Sequence, residues 1–191
     1  MKKLLACWPF LLILTLGTVI RLYHLTADSL WLDEHFSIWL SKRPFDQFCR
    51  IMSEENHPPL YYMILMGWMK LFGDSILVVR LLSVLFGIAT IAIAFTCTKQ
   101  IFNTKTAYFT SILFATCPLL VRYSQEARMY ELVVLSSTTS LFSSLLYLKY
   151  PNRIIGLLFS LSVIISVYTH YFSILLWVVL SVFILIEIGL T

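Results

Sequence analysis

Residues 76–98 read ILVVRLLSVLFGIATIAIAFTCT, an apolar run of 23 residues. A helix of about 20 such residues, rising ~1.5 Å per residue, crosses the ~30 Å hydrocarbon core of a bilayer. Runs of the same character lie on both sides of it. Met1 to Leu25 precedes it; Ile101 to Val121, Glu131 to Leu148, Ile154 to Tyr168 and Phe172 to Leu190 follow. Apolar residues make up 59% of the chain, against roughly 45–50% in soluble domains, and only 13% are charged. The period is helical throughout, so the expected fold is all-α: one transmembrane bundle over residues 1–191 with about six spans. The formal charge of +4 is small, and its distribution points to no nucleic-acid partner.

The first run starts with Lys2 and Lys3 and has no small-residue cleavage site after it, which makes it an uncleaved span rather than a removable leader. None of the four cysteines has metal-ligand spacing, and Cys7, Cys97 and Cys117 fall inside apolar runs as small hydrophobes. Residues 26–75 form the first external loop with juxtamembrane helices. Its polar part, Thr26 to His57, is broken by Pro44. The apolar stretch from Pro58 to Phe72 reaches only ~22 Å as a helix, too short to cross. Lys2 and Lys3, Lys99 with Lys105, and Lys149 with Arg153 mark the cytoplasmic side by the positive-inside rule. This count holds if Pro58 to Phe72 stays on the outer side. It places every acidic residue except Glu187 at the outer face of a plasma or inner membrane, together with His57, Arg128 and His170.

At that face the adjacent pair Asp33 and Glu34 opens the loop, in the stretch Trp31-Leu32-Asp33-Glu34-His35. Ionisable groups beside hydrocarbon are expensive and mark functional sites. Consecutive helical residues point about 100° apart, so one carboxylate suits a general base while the other supports it or contacts an ion. Arg128 suits a planar phosphate. His57, before Pro58-Pro59, sits at the dipole-positive start of a helix, a position that favours anions. Glu126 and His170 lie on short turns of the same face, and Glu55 with His57 could contact a divalent ion or a phosphate, without a dedicated metal motif.

Arg21-Leu22-Tyr23 before Trp31-Leu32-Asp33-Glu34, then His57-Pro58-Pro59-Leu60-Tyr61-Tyr62, Tyr123-Ser124-Gln125-Glu126-Ala127-Arg128-Met129-Tyr130 and Tyr168-Thr169-His170-Tyr171 resemble the N-terminal half of a GT-C glycosyltransferase. The likeness is to the branch of protein O-mannosyltransferases and lipid A aminoarabinose transferases. It implies a polyprenyl-phosphate sugar donor, a lipid, glycan or protein acceptor, inverting transfer at the outer face, and Asp33 as base with Glu34 beside it. It implies phosphate contacts from Arg128, His57, Glu126 and His170, and no resident cofactor beyond an optional divalent ion, for which Glu55 and Glu126 are the candidates. Family members run to several hundred residues with about a dozen spans, so this chain is expected to be the N-terminal piece of a longer enzyme, and to be inactive if it stands alone. A transporter or flippase, or a non-catalytic membrane subunit, is the competing class. The first would carry charges along an intramembrane path, and the second would tolerate substitution of the charged turns.

Overall fold

The computed structural model describes residues 8–190; Lys2, Lys3 and Cys7 lie outside them. Among the described residues there are ten helices and no strand. They are α1 (Trp8–Leu22), α2 (Leu32–Ser41), α3 (Phe45–Met52), α4 (Leu60–Phe72), α5 (Ile76–Ile101), α6 (Thr104–Thr116), α7 (Pro118–Ser124), α8 (Tyr130–Lys149), α9 (Arg153–Thr169) and α10 (Ser173–Leu190). Two of them, α5 and α8, are long and apolar enough to cross a bilayer. The other apolar helices are shorter, so the count of six spans is not established by length. The run from Ile101 to Val121 is not one rod. Pro118 has no N–H to donate to the Phe114 carbonyl, and the helix breaks at Cys117 into α6 and α7.

The central helix, α5, packs against α1, α4, α6, α7 and α8, while α9 packs on α8. Small residues let these backbones approach. Ser83, Gly87, Thr90 and Ala94 are buried on α5, and Ser136, Ser140, Ser143 and Ser144 on α8. The serines on α8 satisfy themselves locally: Ser136 Oγ donates to the Leu132 carbonyl and Ser140 Oγ to the Ser136 carbonyl, each four residues back.

The bundle has two chemically distinct ends. At one, Lys149 Nζ donates to the Ile101 carbonyl at 2.7 Å, bringing together the last turns of α5 and α8, where a cation complements the helix dipole. Stacking of Phe10 on Phe95, 4.0 Å between centroids, puts the start of α1 at this basic end too. The opposite end gathers the close of α1, the starts of α5 and α8, and α2 to α4. Helix α4 has both of its ends there. Ser41 Oγ donates to the Tyr62 carbonyl near its start, and Trp68 Nε1 donates to the carbonyl of Val78, in the first turn of α5, near its finish. Beneath this end lies the main apolar cluster, built around Leu40, Phe48, Tyr61, Tyr62, Leu65, Val79 and Met129.

Candidate active site

Glu34 is the third residue of α2, and its side chain is fully buried. Its Oε1 accepts from Arg80 Nε at 2.9 Å and from the Ala127 N–H at 2.8 Å. Its Oε2 accepts from Arg80 Nη2 at 2.7 Å and from the Trp31 N–H at 3.3 Å, the latter closing half of a capping box on α2. Burial alone would raise the Glu34 pKa. The Arg80 hydrogen bonds, the Ala127 N–H and the Arg80 charge outweigh it and hold the carboxyl below the ordinary range. Arg80 also donates to the carbonyls of Leu25, Asp28 and Ser29. The Arg80–Glu34 pair therefore ties the α1–α2 connection, the start of α2 and, through the Ala127 N–H on Glu34, the α7–α8 turn to α5.

Asp33 takes the opposite course. Its side chain is 40% exposed, with Oδ2 3.6 Å from Arg128 Nη2. Arg128 is buried and held on three further acceptors: Nη1 donates to the Asp33 carbonyl at 3.3 Å, to Ser37 Oγ at 3.2 Å and to the Tyr62 hydroxyl at 3.5 Å. The local partner that helical spacing would offer Arg128, Glu131, lies elsewhere, fully buried within the bundle end beside Arg21 and Ser124. Arg128 thus fixes the exposed carboxylate at a distance of 95 residues along the chain.

His57 and His170 face each other across the same side, 5.8 Å between ring centroids. Burial and then the Arg128 charge push the His57 imidazole below its ordinary range, against the opposing charges of Glu55 and Asp33. Burial, His57 and Arg128 do the same to His170. Both rings are therefore mainly neutral near pH 7. An apolar cavity of about 320 Å³ opens beside His170, lined by Tyr130, Val133, Val134, Phe172 and Leu176.

Glu126 belongs to the other flank. Its Oε1 accepts from Arg122 Nε at 3.0 Å, and it lines a polar cavity of about 370 Å³ with Asp28, Trp31 and Gln125. Glu55 lies near His57 and Tyr62, on which its charge acts. Among the described residues no three His, Cys, Asp or Glu side chains are grouped to hold a metal ion.

The structure therefore brings Asp33, Arg128, His57 and His170 together, and sets Glu34 and Glu126 apart from them. Sequence reasoning gave no role to Arg80, Ser37 or Tyr62, although Tyr62 closes the motif that begins at His57. Arg80 was legible in principle, since an arginine in the first turns of an apolar helix demands partners. Ser37 and Tyr62 carried no such signal. Residues 56–190, well over half of the chain, match the family model described as dolichyl-phosphate-mannose-protein mannosyltransferase. No curated protein and no solved structure matches.

Proposed function

Since the chain belongs to the dolichyl-phosphate-mannose-protein mannosyltransferase family, whose members are membrane glycosyltransferases of the GT-C type, we propose that it moves a sugar from a polyprenyl-phosphate donor to an acceptor hydroxyl at the outer membrane face. The observation that carries this reading is the contrast within one helical turn. Glu34 is sealed by Arg80, while Asp33 is exposed and fixed by Arg128. In the reaction, the acceptor oxygen attacks the anomeric carbon, the bond from that carbon to the phosphate oxygen breaks, and configuration inverts. The polyprenyl phosphate leaves with the electron pair, and the acceptor proton passes to the Asp33 carboxylate. Glu34 is a positioning residue: it fixes the first turn of α2 and through it the backbone of Asp33.

The donor phosphate sits by His57 and His170, within the field of Arg128, and an anion there favours protonation of both imidazoles. Its hydrocarbon chain enters the apolar cavity beside His170. Six crossings, made by α1, α5, α6 with α7, α8, α9 and α10, agree with the two ends of the bundle. Helix α4 stays on the outer side. The donor arm is tested with a photoreactive polyprenyl phosphate added to the purified chain. Crosslinks should map to α8 and α10 around Val134 and Leu176, and Val134→Trp, which fills the cavity, should abolish them. Crosslinks confined to other helices, or unchanged by Val134→Trp, would overturn this placement.

A further inference from the structure

At the end of α2 remote from Asp33 lies a further cavity, of about 230 Å³, with Lys42, Arg43 and Lys70 on its walls and Met66 and Met69 among its lining. Lys42 follows Asp33 by nine positions, about 13 Å along the helix axis. None of its lining residues is shared with the cavities beside the candidate active site. It is a separate place with its own chemistry.

Three cations meet there against one acid. Asp74 pairs with Lys42, and the hydrogen bond and charge of that lysine hold its carboxyl below the usual range. Among the described residues no carboxylate pairs with Arg43 or Lys70. The Arg43 guanidinium is oriented by the Trp39 ring, 4.3 Å from its centroid, and its Nε is buried with no acceptor. The positive charge of Arg43 and Lys70, neither of them balanced by a carboxylate among the described residues, favours an oxygen anion in the cavity. Two exposed apolar side chains, Leu71 (78%) and Phe72 (57%), follow Lys70 on the same helix. Such side chains beside basic residues suit an amphiphile whose head meets the cations while its chains cover the hydrocarbon surface.

We propose that this cavity binds the phosphodiester headgroup of an anionic membrane phospholipid. The assignment is independent of the sugar-transfer reading. Asp74 competes with the headgroup for Lys42, so it sets the affinity of the site.

The test is native mass spectrometry of the full chain released from detergent, with phosphatidylglycerol, phosphatidylcholine or polyprenyl phosphate added in turn. Phosphatidylglycerol should be retained in preference to phosphatidylcholine. Lys70→Gln and Arg43→Gln should each lower that retention about fivefold, the effect of ~1 kcal/mol per basic residue at a membrane surface. Asp74→Asn should raise it, a gain that misfolding cannot imitate, while Arg122→Gln, in the other polar cavity, should leave it unchanged. Equal retention of the two phospholipids, no response to Lys70→Gln, or retention of polyprenyl phosphate alone would overturn the assignment. Displacement of phosphatidylglycerol by equimolar sodium phosphate would also overturn it, as a site for free anions.

Discussion

Asp33 and Glu34 differ by one methylene and one position, yet their surroundings give them opposite capacities. Glu34 has four donors and no exposed surface, so it can neither reach a substrate nor give up its charge cheaply. Breaking a buried pair by removing one partner typically costs about 3–5 kcal/mol. Glu34→Gln should accordingly lower the thermal unfolding midpoint in detergent well beyond the change seen for Asp33→Asn. The pH dependence follows from the depressed carboxyl. Its stabilisation is complete above the ordinary glutamate value of about 4.3 and is lost as pH falls through the lower folded-state value. In Glu34→Gln that acid-side loss should shrink, as read from unfolding midpoints between neutral pH and pH 3. Arg128 is held by Asp33, Ser37 and Tyr62, and lysine retains the charge without the fork. Arg128→Lys should lower kcat, by up to ~10²-fold if Asp33 shifts by an ångström. KM for the donor should move less. A change confined to KM would assign Arg128 to the donor alone.

The helices show how the bundle meets the needs of a backbone in an apolar setting. The break before Pro118 frees the carbonyls of Phe114 and Ala115. Arg21 on α1 donates to both at 3.0 Å while its Nε donates to Ser124 Oγ. Gln125 Nε2 in turn donates to the Tyr23 carbonyl at the close of α1. This junction fits only because residue 87 has no side chain. A Cβ on Gly87 would lie 2.4 Å from Ser124 Oγ and 2.7 Å from Arg21 Nε. Gly87→Ala should therefore destabilise by about 1–3 kcal/mol, the usual cost of overpacking. Gly67→Ala, with nothing within 4 Å and in a helix interior, should be neutral or stabilising by roughly 0.5–1 kcal/mol. Thermal midpoints of the two variants, measured side by side, check the pair. An unchanged midpoint for Gly87→Ala would contradict the packing described here. The helices themselves were legible, because apolar runs and their period are local properties of the sequence. The break was signalled by Pro118 but masked by the continuity of the run. The partners of Arg21 and Arg80 were not legible, since Arg21 finds Ala115 and Arg80 finds Glu34 across 94 and 46 residues. Spacing alone left Asp33 and Glu34 open and the resemblance favoured Asp33; what spacing could not show is that Glu34 is buried against Arg80 while Asp33 stays partly exposed.

The proposed orientation of the enzyme in its membrane rests on the contrast between the end that holds Lys149 and the opposite end that holds Asp33 and Glu34. Cys49 is a free, exposed cysteine on α3 at the Asp33 end, and Thr104 is exposed at the Lys149 end. In intact cells an impermeant maleimide should label Cys49, and the label should vanish in Cys49→Ser. In that background Thr104→Cys should react only after the membrane is opened. Labelling of Thr104→Cys from outside would invert the proposed topology. The central claim, however, is that Asp33 takes the acceptor proton, and one assay addresses it directly. Sugar transfer from a polyprenyl-phosphate donor is followed in membranes containing the full-length protein in which the unaltered sequence is active, for that sequence, Asp33→Asn and Glu34→Gln, with donor retention measured alongside. A positioned base contributes about 10²–10⁴-fold, so Asp33→Asn should lose at least ~10²-fold in turnover with donor retention intact, while Glu34→Gln should lose less turnover and more stability. Turnover in Asp33→Asn equal to that of the unaltered protein would contradict the account.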